Sequence, residues 1–281
     1  MAAERLDGSA VAAAVVESLR ERIETLSYVP KLVFVRVGDD PASTYYVKSK
    51  GRLAAKVGLR TETIVLDASS TQAELENVVR RLNADPEVDG ILVQLPLPDT
   101  GFDERKVLEL IDPAKDVDGL HPVNVGRLWS GQAGLVPATP MGVIELLDRY
   151  QIELEGKRAL VIGRSNLVGK PVAALLLRRN ATVTLAHSRT RDLAEAARQA
   201  DVLVAAVGVP WLMTPDMVKP GAAVLDVGVS RVDGSIRGDV HPDVGEVAGY
   251  LTPMPGGTGP MTVAMVISNT VTAAALRRSV P

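Results

Sequence analysis

Short apolar runs alternate with amphipathic stretches along most of the chain, and that alternation predicts an α/β protein. Residues 9–26 carry apolar side chains at helical spacing. Residues 31–37 (KLVFVRV) form an apolar strand that stops at the turn Gly38-Asp39-Asp40-Pro41. Ser43 then caps a helix running to about residue 57, and a strand follows over 61–66. Thr71 and Glu74 have the spacing of a capping box, which starts a helix ending near 83. Residues 90–94 give another strand, broken by Pro96 and Pro98. Thr139 followed by Pro140 reads as an N-cap and first helical residue, and a second lobe starts there. Its strands are expected at 158–162, 181–186, 202–206 and 222–227, with Thr214 and Pro215 opening a short helix between the last two. After a proline- and glycine-rich loop (252–260), a last helix from 261 to about 276 has small and apolar residues over much of its surface. Such a helix packs across both lobes rather than lying exposed.

The stretch 157–190 (KRALVIGRSNLVGKPVAALLLRRNATVTLAHSRT) reads as strand, glycine turn, helix and strand, which is half of a dinucleotide site. A helix that starts after such a turn aims its free N–H groups at whatever sits over the turn, and a pyrophosphate suits them. The turn departs from GxGxxG, with Gly163, Ser165 and Gly169 and five residues between the two glycines. A phosphate loop competes, since Gly169-Lys170 resembles its end. The spacing is one residue too long for it, however, and Pro171 stands where a magnesium-binding Ser or Thr is needed. The second strand ends His187, Ser188, Arg189, Thr190, with no carboxylate before Asp192. That end favours a 2′-phosphate, hence NADP over NAD. Arg164 in the turn fits the same reading, although a solvated loop arginine accounts for it as well.

Composition narrows the class. A chain of 281 residues, 46% hydrophobic and 23% charged, buries a sizeable core and is expected to form two lobes. With a net charge of -3 and only 3% aromatic residues, no basic, aromatic-interleaved footprint points to nucleic acid. The absence of cysteine excludes disulfides, thiolate catalysis and Cys-ligated zinc. His121, His187 and His241 have no metal-ligand spacing, so no metal is expected. Acids interrupt the apolar N-terminus and no run approaches a membrane span, so a cytoplasmic protein without a membrane partner is expected.

The first lobe carries the candidate chemistry. Tyr46 and Lys50 lie four apart on a predicted helix, roughly 6 Å apart at Cβ, and a phenol beside an amine is suited to moving protons. Tyr45 and Lys48 compete for the same assignment, and a plain surface pair on an amphipathic helix explains the spacing too. Gln94 stands at the carboxyl end of a strand, where α/β folds place ligands, or simply enters a loop. Asp116 and Asp118 flank Val117 before Gly119. A carboxylate there can clasp a guanidine-like edge, while DVDG is equally an ordinary Asx turn.

The segments PASTYYVKSK, GILVQLPLP, KDVDGLHPVNVGRL, PATPMG, GRSNLVGKP, HSRT, KPGAAVLDVG and PGGTGPMT occur in an order that resembles the FolD family of bifunctional methylenetetrahydrofolate dehydrogenase/cyclohydrolases, from about Asp7 to the final helix. The resemblance implies a folate-binding catalytic domain over 1–138, completed by the C-terminal helix 261–281, and a Rossmann-like NADP-binding domain over 139–260. It further implies a cleft between the lobes and a homodimer formed through the nucleotide lobes. The implied activity is oxidation of 5,10-methylenetetrahydrofolate with NADP, then hydrolysis of the methenyl cation to 10-formyltetrahydrofolate. On this mapping YVKSK selects Tyr46 and Lys50. Lys50 handles protons, Tyr46 orients the folate, Gln94 holds the lysine, Asp118 binds the pterin's amino-pyrimidine edge, and Asp116 shapes the loop. Arg164, Ser165, Ser188 and Arg189 meet the cofactor with Gly163 and Gly169, while Gly256, Gly257 and Pro260 line the folate. The chain departs from the family in Ala138 for a usual Cys, Thr258 for a common Val, and Lys50-Gly51-Arg52 for a Lys-x-Lys. Its length leaves no room for a synthetase domain. Two other readings stand beside this one. A different NADP-dependent dehydrogenase is disfavoured because the short-chain pattern puts YxxxK after the glycine turn. A non-catalytic NADP- and folate-binding protein is disfavoured by the presence of both Tyr46 and Lys50.

Overall fold

A computed structural model describes residues 2–98 and 101–278; the side chains of Ala42 and Tyr46 lie outside the description. The chain divides into two compact units, one of Thr139–Thr262 with the residues up to Ala13, the other of Ala14–Ala138 with the residues from Val263 onward.

The second of these units is built on a three-stranded parallel sheet ordered Arg60–Leu66, Lys31–Val37, Gly90–Val93. The central strand has an apolar run, Leu32 to Val35, because both its faces are covered there, and Leu32, Val33, Phe34 and Val35 are fully buried. The edge strand Arg60–Leu66 is largely exposed and polar, which discourages pairing with another chain. Helices Pro41–Lys56, Gln72–Ala84, Glu104–Leu110 and Pro122–Trp129 belong to this unit. The capping box forms as expected, with Thr71 accepting from the Glu74 N–H and the Glu74 carboxylate accepting from the Thr71 N–H at 2.7 Å. Ser43 is not the cap of the preceding helix. Asp40 is, accepting from the Ser43 N–H at 2.7 Å, and Pro41 takes the first helical position, where no N–H is needed.

The nucleotide unit has a six-stranded parallel sheet ordered Glu4–Arg5, Tyr250–Leu251, Ala223–Asp226, Val202–Ala205, Arg158–Ile162, Thr182–Ala186. Its first strand comes from the N-terminus, so the residues up to Ala13 group with this unit, whereas the partition expected from sequence put all of 1–138 in the catalytic lobe. Two residues of strand are too short to leave a periodic pattern. Helix Ala138–Arg149 already contains Thr139, whose hydroxyl pairs with that of Thr262 at 2.8 Å instead of capping. Helices Gly169–Arg178 and Leu193–Arg198 follow, and Ser230–Val232 and Ser235–Arg237 form an antiparallel hairpin. The hairpin turns at Asp233-Gly234, both with positive φ, as its tight geometry requires.

The C-terminal helix, Thr258–Arg278, starts within the nucleotide unit and continues in the other. It is long and apolar enough, by length and composition, to cross a membrane, contrary to the sequence expectation that no run reaches that length. In this fold it serves as a core helix. Met261, Ala264, Val266, Ile267, Val271 and Ala274 are buried, and the Asn269 amide donates to the carbonyls of Val117 and Val136 at 2.8 Å each. At its end Arg277 and Arg278 both grip Asp89, which is fully buried.

Candidate active site

Helix Pro41–Lys56 carries Tyr46 and, one turn later, Lys50. Lys50 is buried at 8% exposure, and its ammonium donates to the Gln94 side-chain oxygen at 3.2 Å. Gln94 follows strand Gly90–Val93 and extends its ladder, its N–H donating to the Val35 carbonyl at 2.8 Å. The other end of the Gln94 amide donates to the Leu95 carbonyl at 2.6 Å, so the oxygen is the end turned to the lysine. Lys50 and Gln94 are therefore brought together. Tyr46 shares the helix, but its side chain is outside the described set.

Asp116 and Asp118 separate in role as the sequence left open. The Asp116 carboxylate is 1% exposed and accepts from the N–H groups of Gly119 (3.1 Å) and His121 (2.8 Å) and from the Asn124 amide (3.0 Å). Burial pushes its pKa up, and the hydrogen bonds from His121 and Asn124 pull against the rise. Asp116 thus holds the loop together. Asp118 is half-buried and makes no hydrogen bond among the described residues. Burial raises its pKa first of all, the Lys50 ammonium lowers it, and the Asp116 charge raises it further. A partly desolvated carboxylate whose lone pairs have no partner among the described residues is a receptor for a planar pair of N–H donors. Gly119 has φ of +72°, and a Cβ there would lie 2.4 Å from the Val136 carbonyl carbon, so the turn after Asp118 admits only glycine.

In the nucleotide unit, the glycine turn is as tight as the motif implied. A Cβ on Gly163 would come 2.3 Å from the Ala206 carbonyl oxygen, and one on Gly169 would come 2.0 Å from that of Gly163. Helix Gly169–Arg178 has no side-chain cap from its N-cap residue Val168; the Ser165 hydroxyl accepts from the N–H groups of Val168 (3.1 Å) and Gly169 (3.3 Å). Arg164 and Ser165 are exposed, as are Ser188 and Arg189 at the end of the next strand. There the Thr190 hydroxyl accepts from the His187 N–H, and the His187 ring accepts from the Arg189 N–H, closing a compact turn with no acid in it. These exposed groups gather at the carboxyl ends of parallel strands, where doubly wound sheets bind nucleotides.

Sequence reasoning missed two buried carboxylates here. Asp239 is fully buried and accepts from three successive N–H groups, Val207 (2.7 Å), Gly208 (3.2 Å) and Val209 (2.8 Å), in the loop that follows strand Val202–Ala205. Asp226 accepts from the N–H groups of Asp239 (2.9 Å) and Val240 (3.1 Å), and burial pushes its pKa up to about 7. A Cβ on Gly238 would stand 1.8 Å from the Asp226 carboxylate, and one on Gly228 2.0 Å from that of Asp239. The legible signal was the pairing of DVG with GD across the hairpin sequence.

Gly256, Gly257 and Pro260 belong to the nucleotide unit, not to the unit that holds Lys50, Gln94 and Asp118. Gly256 has φ of +103°, and a Cβ on Gly257 would lie 2.7 Å from the Pro253 carbonyl oxygen. Pro260 sits in the first turn of the last helix, where its missing N–H costs nothing. No group of three or more His, Cys, Asp or Glu able to hold a metal occurs among the described residues.

The profile of the tetrahydrofolate dehydrogenase/cyclohydrolase catalytic domain matches residues 6–118, and that of the family's NAD(P)-binding domain matches residues 137–278. The chain belongs to the tetrahydrofolate dehydrogenase/cyclohydrolase family. It is 55% identical over 278 residues to the bifunctional protein FolD of Thermus thermophilus, covering 99% of this chain and 98% of that one. The crystal structure of the bifunctional FolD methylenetetrahydrofolate dehydrogenase/cyclohydrolase of Campylobacter jejuni has a TM-score of 0.96 at 46% identity, covering 98% of this chain and all (100%) of the other. The Trypanosoma brucei member of the family, solved with NADP and an inhibitor, has a TM-score of 0.92 at 41% identity, covering 100% and 99% of the two chains.

Proposed function

We propose that this chain oxidises 5,10-methylenetetrahydrofolate with NADP to the 5,10-methenyl cation and hydrolyses that cation to 10-formyltetrahydrofolate. The observation that carries the reading is the buried Lys50 ammonium on the Gln94 oxygen, in the same unit as an Asp118 carboxylate that has no protein hydrogen bond among the described residues. Asp118 takes the amino-pyrimidine edge of the pterin through two charge-assisted hydrogen bonds. Tyr46, one turn before Lys50, orients the folate ring. In the hydrolytic step a water oxygen bonds to the methenyl carbon. The Lys50 ammonium gives a proton to the ring nitrogen as the C–N bond to that nitrogen breaks, and the amine so left takes the proton of the attacking water. Gln94 keeps the ammonium in one place while this happens.

Oxidation asks less of the protein. The nitrogen lone pairs stabilise the cation left behind, so no strong acid or base is needed. NADP held by the nucleotide unit would supply the hydride acceptor for the methylene carbon. The residues fit it: Gly163 and Gly169 leave no room for a Cβ, the following helix has no side-chain cap from Val168, and Arg164, Ser165, Ser188 and Arg189 are exposed with no acid to repel a 2′-phosphate. We further read the protein as a cytoplasmic homodimer joined through its nucleotide units, supplying one-carbon units to purine and amino-acid biosynthesis. The exposed Val209, Val229 and Ile236 around the hairpin support such an interface. The net charge of -3 favours small-molecule partners over nucleic acid.

Lys50→Met tests the assignment. Methenyl hydrolysis is expected to fall to the uncatalysed rate while NADP affinity stays within twofold; hydrolysis retained by the variant would remove Lys50 from the mechanism.

A further inference from the structure

Lys115 is among the largest fully buried side chains, at 2% exposure, and no carboxylate forms an ion pair with it among the described residues. Its ammonium donates to three main-chain carbonyls, those of Leu82 (2.9 Å), Asn83 (2.7 Å) and Asp85 (2.7 Å). Leu82 and Asn83 lie in the last turn of helix Gln72–Ala84, whose carbonyls have no partner within the helix, and Asp85 is its C-cap, with a carbonyl that also accepts from the Val88 N–H at 3.2 Å. Three donors meet three acceptors, so the ammonium is fully used. Burial still disfavours the charge: it pushes the Lys115 pKa down, Arg277 adds to that, and Asp112, Asp85 and Asp89 oppose it from a distance. A neutral side chain of the same length would avoid this cost, and a glycine C-cap would serve the helix. The proposed chemistry does not use the ammonium either.

What the lysine does accomplish is to fasten a loop. Its carbonyl accepts from the Ile91 N–H at 2.8 Å, and Asp116 bridges to Ile91 in parallel. Val117 is fully buried and is pressed against Gly90, where a Cβ would lie 2.6 Å from the valine methyl; its carbonyl accepts from Asn269. Asp118 follows at once. We propose that Lys115 is a positioning residue for Asp118, tying the start of the substrate-binding loop to the end of helix Gln72–Ala84 so that the Asp118 carboxylate is held in place before folate arrives. The role assigned to Asp118 rests on the folate reading above; the anchoring of the loop does not.

The test uses the full chain with Lys115→Met, Asp118→Asn and the double substitution, with Lys115→Gln as the milder replacement should the methionine variant not fold. Loss of aim at Asp118 is expected to raise KM for methylenetetrahydrofolate about tenfold, with NADP affinity unchanged. Adding either Lys115 substitution to Asp118→Asn is expected to raise KM no further, because the group being aimed is already gone. Amide exchange at Gly119 and His121, whose N–H groups bind Asp116, should quicken in the Lys115 variants. Multiplicative KM effects in the double variant, or an unchanged KM beside a lowered Tm, would make Lys115 a stability residue only and overturn the proposal. Unchanged exchange at Gly119 and His121 would overturn it whatever the substrate. A native chain that does not turn over folate would instead refute the assigned function and leave the exchange measurement to decide the anchor.

Discussion

Gln94→Ala should slow the hydrolytic chemistry and spare cofactor binding without touching the lysine itself. The substitution removes the oxygen that accepts from the Lys50 ammonium at 3.2 Å while leaving a side chain that fits any strand end. Lys50 is only 8% exposed, so water replaces the lost acceptor poorly. A hydrogen bond to a charged group contributes about 1.5–3 kcal/mol, and each 1.36 kcal/mol in a barrier is a factor of ten. Methenyl hydrolysis should therefore slow by about 10- to 100-fold. Gln94→Glu keeps an acceptor at that position but adds a negative charge beside the ammonium, which makes its proton harder to give up, so it should also slow hydrolysis. The assay is the decay of methenyl absorbance with purified variants, with NADP affinity by calorimetry as the control. Hydrolysis by Gln94→Ala within twofold of the native rate would refute the idea that this amide sets the working position of Lys50.

Other outcomes follow from the same geometry. Gly169→Ala puts a Cβ 2.0 Å from the Gly163 carbonyl oxygen, a backbone atom that cannot swing aside, so NADP affinity should fall at least tenfold with methenyl hydrolysis largely kept; calorimetry and the hydrolysis assay check the two halves. Asp226 has a pKa of about 7 in the fold against an ordinary 3.8, so between those values the folded chain holds a proton that the unfolded chain releases. Its contribution to stability is complete below about pH 4 and is lost progressively between about pH 4 and 7, by up to about 1.36 kcal/mol per pH unit. Denaturant midpoints should fall with that slope between about pH 4 and 7 and level off above it in the native chain, with a flatter profile in Asp226→Asn; equal profiles would contradict the raised pKa.

The parts of the fold legible in the sequence are those where burial writes a pattern. Lys31–Val37 and Arg158–Ile162 are covered on both faces of parallel sheets and read as apolar runs, so their bounds were expected to the residue. Thr71 and Glu74 were legible because a capping box is a local chemical device. Glu4–Arg5 and Tyr250–Leu251 were not, since two-residue strands exist only through pairing across the sheet. Ser43 and Thr139 misled because a neighbouring residue already did the work, Asp40 as cap in one case and an earlier helix start at Ala138 in the other.

The candidate site divides in the same way. Its nucleotide half follows from glycines and a missing acid within one continuous stretch. In the other half, spacing alone left Lys48 and Lys50, and Asp116 and Asp118, as rivals. The structure distinguishes the acids by their partners: Asp116 is enclosed by Gly119, His121 and Asn124, and Asp118 has no hydrogen bond among the described residues. Lys115, Asp226, Asp239 and Asn269 escaped notice because their contacts join residues far apart in the chain, as when Asn269 reaches Val117.

The most direct measurement mixes the purified chain with 5,10-methylenetetrahydrofolate and either NADP or NAD, following reduced cofactor and methenyl absorbance together. NADP is expected to be reduced in preference to NAD, with the methenyl signal decaying faster than it does without enzyme. No reduction with either cofactor, or reduction with methenyl decay at the uncatalysed rate, would contradict it.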